Sequence, residues 1–151
     1  MSDQRVTPML APHLVCDDAA GAIDYYKRAF GAEELIRIPG GDGRLMHASI
    51  SIDGSMVMLV DANQECGMLS PKALGGTPVT IHLNVADVDA VVAQAEAAGG
   101  TIKTPVEDQF WGDRYGVIED PFGHVWSIAT PLRPQPMSET ELREAAQKVM
   151  A

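Results

Sequence analysis

The chain has 151 residues, with 21 acidic against 11 basic side chains, a formal net charge of −10 and a pI near 4.6. At about 100–150 residues per domain, that length allows one ordinary globular domain or two small modules. The acidic balance excludes a general phosphate-backbone binder, which needs clustered Lys and Arg, and no apolar run approaches the ~20 residues of a membrane helix; neither nucleic acid nor a membrane is an expected partner.

Residues 10–61 and 79–130 repeat one order of patterns. In the first copy LAPHLVC alternates as a strand. DDAAGAIDYYKRAFGA then reads as a helix with Ala19, Ile23, Tyr26 and Phe30 on one stripe and Gly31 as its stop. Strands are predicted over 33–39, over 44–52 after the turn GGDG, and over 55–61 after the Asp53-Gly54 hairpin signal. Between the copies NQECGMLSPKALGGTP reads as a linker with little regular structure. In the second copy VTIHLNV alternates, and DVDAVVAQAEAAGG reads as a helix with Val88, Val91, Val92 and Ala95 inward. Strands follow over 101–104, 114–119 and 124–130, the last beyond the DPFG turn. Finally, Ser138 and Glu141 form a capping-box signature that opens a helix through about Met150. The expected fold class is α+β: two βαβββ modules, each a curved mixed sheet covered on one face by its helix, cupped around a cleft, plus a short C-terminal helix. Module one is expected at about 9–62, the linker at 63–78, module two at about 79–131 and the last helix at about 138–150, in a single domain over 1–151.

The two cysteines, Cys16 and Cys66, argue against a disulfide scaffold. The opening MSDQRV carries no apolar signal segment, so a reduced, cytoplasmic, soluble protein is expected. Cys16 is expected under the first helix. Cys66, in a polar stretch with no basic neighbour except Lys72, is not expected to be a reactive thiolate.

Five segments, AIDYYKRAFGAEEL, GRLMHASISI, MVMLVD, VDAVVAQAEAAGG and above all DQFWGDRYGVIEDPFGHVWSIAT, resemble the vicinal oxygen chelate superfamily. This is the glyoxalase, bleomycin-resistance and extradiol-dioxygenase group, and the resemblance is to its PhnB-like branch. It spans nearly the whole chain and implies the paired βαβββ fold, a small-molecule ligand and a homodimer. It does not single out a function, since the scaffold hosts isomerases, dioxygenases, epimerases, thiol transferases and plain drug-binding proteins. Metal-dependent members place His or Glu at four pseudo-symmetric points. Counting from the helices and from Gly54 and Gly123 puts these points at Ala11, Met58, Thr80 and Ser127, a set without a strong donor for a divalent ion. No metal and no other cofactor is therefore expected.

Strand alternation turns Pro12, Leu14 and Cys16 toward the first helix and His13 into the cup. By the same parity His47, Ser49, Ser51, Met56 and Met58 face the cup in the first module, and Thr80, His82, Asn84 and Ser127 in the second. Trp111, Arg114 and Tyr115, in FWGDRYG, stand where they can close one end of the cleft by stacking or a charge-assisted bond. The competing role for Arg114 is an internal salt bridge to Asp113 or Glu119. His124 is read as structural. The histidines admit three roles: hydrogen bonding to a ligand or a serine, proton transfer near neutral pH, or metal ligation. The leading expectation is a metal-independent small-molecule-binding protein with ligand-binding residues His13, His47, Ser49, Met56, Met58, Thr80, His82, Asn84, Trp111, Arg114 and Ser127. The alternative is a divalent-metal lyase, isomerase or dioxygenase with shifted ligands His13, His82 and His47. The net charge of −10 favours a cationic ligand by long-range steering, whereas an anionic one would need Arg114 and protonated histidines.

Overall fold

The computed structural model describes residues 7–151. Two compact units divide the chain, Met1–Gly75 and Gly76–Ala151.

In the first unit β1 (His13–Cys16) leads to α1 (Ala19–Phe30), then to β2 (Glu33–Pro39), β3 (Leu45–Ile52) and β4 (Ser55–Asp61). The sheet order is β1-β4-β3-β2, with β1 parallel to β4 and the other pairs antiparallel. A β-α crossover is what allows the parallel pair, and the two tight turns make the antiparallel ones. Asp18 caps α1 through the Gly21 amide, and Gly31 ends it at φ 68°, a left-handed value that glycine adopts without steric cost. The buried stripe of α1 is Ala19, Ala22, Ile23, Tyr25, Tyr26 and Ala29. It packs on the alternate sheet residues Leu14, Cys16, Ala48, Ile50, Val57 and Leu59, all buried. Each large aliphatic side chain buried there contributes about 1.5–3 kcal/mol. Strand β1 starts three residues later than the pattern LAPHLVC suggests, and Pro12, expected beneath the helix, is exposed. Proline has no N–H to offer a sheet partner, so pairing starts after it.

The predicted linker is more ordered than its Gly and Pro content suggests. Asn63 pairs with Met68 around a single 3-10 turn, Gln64–Cys66, and a short helix α2, Pro71–Leu74, follows with Ser70 as its cap. All of this belongs to the first unit.

The second unit repeats the first: β5 (Thr80–Asn84), α3 (Val88–Ala97), β6 (Thr101–Asp108), β7 (Asp113–Glu119) and β8 (Val125–Pro131), in sheet order β5-β8-β7-β6. Asp87 caps α3 as Asp18 caps α1. Val88, Val92 and Ala95 pack against Ile118, Trp126 and Ile128. Strand β6 runs four residues beyond the predicted 101–104, straight through Pro105. It tolerates the proline because it is an edge strand with register shifts on either side of Thr104. Opposite the bulge, a Cβ on Gly116 would come within 2.8 Å of the Val106 side chain. The close approach explains the glycine that breaks the alternation of RYGVIED.

Helix α4 (Glu139–Met150) has both halves of its capping box: Glu141 N–H donates to Ser138 Oγ at 3.2 Å, and Ser138 N–H to Glu141 Oε1 at 3.1 Å. None of its residues is buried. No helix among the described residues is long and apolar enough to cross a membrane.

Candidate functional site

On the face of the first sheet opposite α1, pairing aligns His13 with Met58, Met58 with Ser49, and Ser49 with Ile36. Met56 lies in the next same-face row, opposite Ser51. His47 is two residues along β3 from Ser49, and its ring stands edge-on to His13 with centroids 6.3 Å apart. The strand parity read from the sequence thus brings His13, His47, Ser49, Met56 and Met58 onto one face. Among the described residues, none hydrogen-bonds to the side chain of His13, His47 or Ser49, although Ser49 is only 3% exposed. These donors and acceptors are open to a ligand.

His13 borders a hollow of about 360 Å³ whose wall includes Leu45, Met46, Val60 and Met68. A second hollow, of about 520 Å³, shares Asp42, Arg44, Ala62, Asn63 and Met68 with it. Arg44, Asp42, Asn63 and Met68 were not anticipated as site residues. Asp42 lies in the GGDG turn and Asn63 and Met68 in the supposed linker, where no periodicity signals direction; Arg44 was expected to open the strand over 44–52, but β3 starts at Leu45 and the alternation does not reach it. Cys66 is exposed and also borders the smaller hollow, while Cys16 is buried, and neither is in a disulfide. Asp61 belongs to the framework: Oδ1 accepts the Ala19 amide at 2.8 Å and Oδ2 the Leu45 amide at 2.6 Å. It ties the start of α1 to the start of β3.

In the second unit the row equivalent to His13 and Met58 is His82 and Ser127. Here the imidazole is engaged on both sides, Nδ1 with Ser127 Oγ at 2.7 Å and Nε2 with Asn84 Oδ1 at 3.0 Å. An amide oxygen only accepts, so in the neutral ring Nε2 carries the proton and Nδ1 accepts from the serine hydroxyl. Tyr115 stacks on His82 at 6.4 Å, Trp111 meets Tyr115 edge-on at 5.2 Å, and Phe110 meets Trp111 at 5.1 Å. The Trp111 indole N–H donates to Asp113 at 3.0 Å. Trp111 also borders a separate hollow of about 350 Å³ with Pro131, Pro136, Met137 and Leu142. Thr80 sits exposed at the start of β5, opposite Val125.

Arg114 goes elsewhere. Its strand parity matches Gly116 and Ile118, so it lies on the side of the sheet that carries α3. Its guanidinium makes a two-pronged bond to Asp89 of that helix, Nε to Oδ2 at 2.7 Å and Nη2 to Oδ1 at 3.0 Å. A third bond reaches Asp108 of β6 at 3.0 Å. Arg114 braces α3, β7 and β6, through partners other than the anticipated Asp113 or Glu119. The hydrogen bond and charge of Arg114 hold the Asp89 carboxyl below its ordinary range, and the carboxylates raise Arg114 in turn.

The DPFGH motif is also framework. Asp120, 3% exposed, accepts the amides of Phe122 and His124 on Oδ1, at 2.9 and 3.0 Å, and the Trp126 indole N–H on Oδ2 at 3.0 Å. The turn and the largest buried side chain of the second unit hang from one carboxylate.

The four expected ligand points do not suit a divalent ion. Ala11, Met58, Thr80 and Ser127 lack strong donors, and both ring nitrogens of His82 are engaged. Among the described residues, no three His, Cys, Asp or Glu side chains are placed to hold an ion.

Comparison with known proteins agrees with this architecture. The chain is 55% identical over 146 residues to an uncharacterized protein of Mycobacterium tuberculosis, covering 95% of this chain and 86% of that one. It is 30% identical to the Escherichia coli protein YjdN, covering 79% of this chain and 92% of that one. The crystal structure of TioX from Micromonospora superposes with a TM-score of 0.66 at 31% identity, covering 83% of this chain and all of that one. The fold is shared at 17% identity by the Bacillus cereus structure titled "Putative 3-demethylubiquinone-9 3-methyltransferase, PhnB protein", with a TM-score of 0.64 over 82% of this chain and 99% of that one. Residues 7–128 match the Glyoxalase/Bleomycin resistance protein/Dioxygenase superfamily, and the chain belongs to that superfamily.

Proposed function

We propose that this is a PhnB-like, metal-independent small-molecule-binding protein of the cytoplasm, working as a homodimer, whose ligand lies against His13 and His47. The observation that carries the reading is the contrast between the two units. At equivalent register positions, His82 is closed off by Ser127 and Asn84, while His13 has no hydrogen-bonding partner among the described residues and borders a hollow. A hollow of about 360 Å³ lies in the range of small-molecule sites. Met46 and Met68 supply adaptable walls and His13 a polar edge, and on the same sheet face beside it His47, Ser49 and Met58 offer further contacts. In the second unit His82, Asn84, Ser127, Thr80 and Trp111 are a second ligand-facing surface, stiffer because its polar groups already bond one another.

A thermal-shift screen of metabolites and antibiotics tests this. A compound present at a hundred times its Kd adds about 2.7 kcal/mol of stability, and the shift is expected to shrink in both His13→Ala and His47→Ala. Stoichiometric zinc, nickel, manganese or iron in protein purified without chelator, lost in His13→Ala, would replace this reading with the metal enzyme.

A further inference from the structure

We infer that the ligand of the first unit carries an oxyanion on an apolar body, and that Arg44 holds the oxyanion. The inference rests on the reading of the His13 hollow as a ligand site and names the chemistry of what enters it.

Arginines in this chain are generally occupied. Arg37, Arg114, Arg133 and Arg143 each hold a carboxylate. Arg44 has no ion pair and no side-chain hydrogen bond among the described residues, and it borders both hollows where they join. Its backbone is nevertheless pinned: its N–H donates to Asp42 Oδ1 at 3.0 Å, and its carbonyl accepts the Gly40 amide at 2.6 Å. Gly43, at φ 82°, makes the turn that permits both. Arg44 is exposed, and its five N–H donors, with no protein partner among the described residues, are available to an anion at the mouth of either hollow.

The rest of the smaller hollow adds further donors. Both oxygens of Asp61 accept backbone amides. Asn63 Oδ1 accepts the Glu65 amide at 3.1 Å, which leaves its NH₂ as donor. Arg44, the Asn63 amide and the His13 ring share this wall with two carboxylates, Asp42, whose Oδ1 accepts the Arg44 amide, and Asp61, whose oxygens each accept one backbone amide. Leu45, Met46, Val60, Ala62 and Met68 are apolar. A body of hydrocarbon ending in a carboxylate, phosphate or sulfonate matches that lining. The larger hollow adds Asp17 and Glu65, so the preference for an anion belongs to the His13 side. The net charge of −10 acts on approach and slows anions, whereas the local donors act on the bound state.

The test uses three probes that share one apolar body: phenylpropanoate, phenylpropanol and phenylpropylamine. Each is titrated at millimolar concentration into isotope-labelled full-length protein, with the His13 and Arg44 side-chain resonances observed. The carboxylate is expected to shift both and to bind roughly tenfold tighter than the alcohol, with the amine weakest. Arg44→Gln removes the advantage of the carboxylate, and Arg44→Lys keeps part of it. If the alcohol or the amine shifts His13 and binds as tightly as the carboxylate, the ligand site stands and the oxyanion assignment falls. If none of the three shifts His13, the ligand site and the inference fall together.

Discussion

Asp120 shows how much a single side chain does in this fold. It is buried, and its two oxygens serve three donors: two turn amides and the Trp126 indole. Replacing it with alanine leaves the buried Trp126 indole and two part-buried amides without their acceptor. Asp120→Ala is therefore expected to cost about 3 kcal/mol or more, read as a lower urea midpoint at unchanged m-value, with Asp120→Asn in between because the amide keeps one acceptor. A loss below about 1 kcal/mol would mean that water replaces the carboxylate. The residue scale is also where sequence and site part company. His13, His47, Ser49, Met56 and Met58 were legible because a strand alternates. Arg44 was not, since the strand predicted from 44 starts at Leu45, and Arg44, at the end of the glycine-rich turn, falls outside its alternation.

At the scale of elements, parity explains the fate of Arg114. A strand presents successive residues to opposite faces, and Arg114 falls on the face that carries α3, where Asp89 waits in its first turn. The brace holds the edge strand β6, which its register shifts and Pro105 leave poorly laddered. It also has a pH signature. Arg114 holds the Asp89 carboxyl below its ordinary value of 3.8, so in the folded chain the charged form is favoured more than in the unfolded one. The stabilisation is complete well above 3.8 and is lost as pH falls through the depressed folded value. Asp89→Asn should therefore melt below the wild type at neutral pH, and the gap should close in acid. The carboxylate is exposed, so the neutral-pH gap should be small and should narrow with added salt. A gap that widens on acidification would contradict the assignment.

At the scale of the whole molecule, the charge acts on assembly. Two copies that each carry −10 repel at long range, and salt screens that repulsion over about 10 Å at 0.1 M. Sedimentation at micromolar protein is expected to give twice 16.1 kDa at physiological salt, with a dimer constant that weakens as salt is removed. A 16.1 kDa species at every ionic strength would rule out the homodimer.

The repeated order of strands and helices was legible in the sequence alone, because it rests on local period: alternation in strands, an apolar stripe in helices, glycine and aspartate at their ends; the superfamily was legible by resemblance, through segments such as FWGDRYG and DPFGH, while the short helix α2 in the linker was not. Asp18 and Asp87, each ahead of an apolar stripe, announce α1 and α3 without any tertiary information. Tertiary structure decided which polar groups remain open. His13 and His82 stand at matching places in the sequence, yet His82 is engaged by Ser127 from another strand and by Asn84, and His13 is opposite a methionine that offers neither bond. Whether an arginine is held or open depends in the same way on carboxylates distant in sequence: Asp89 lies 25 residues from Arg114. Such pairings are set by how strands and helices pack, and no local pattern encodes them.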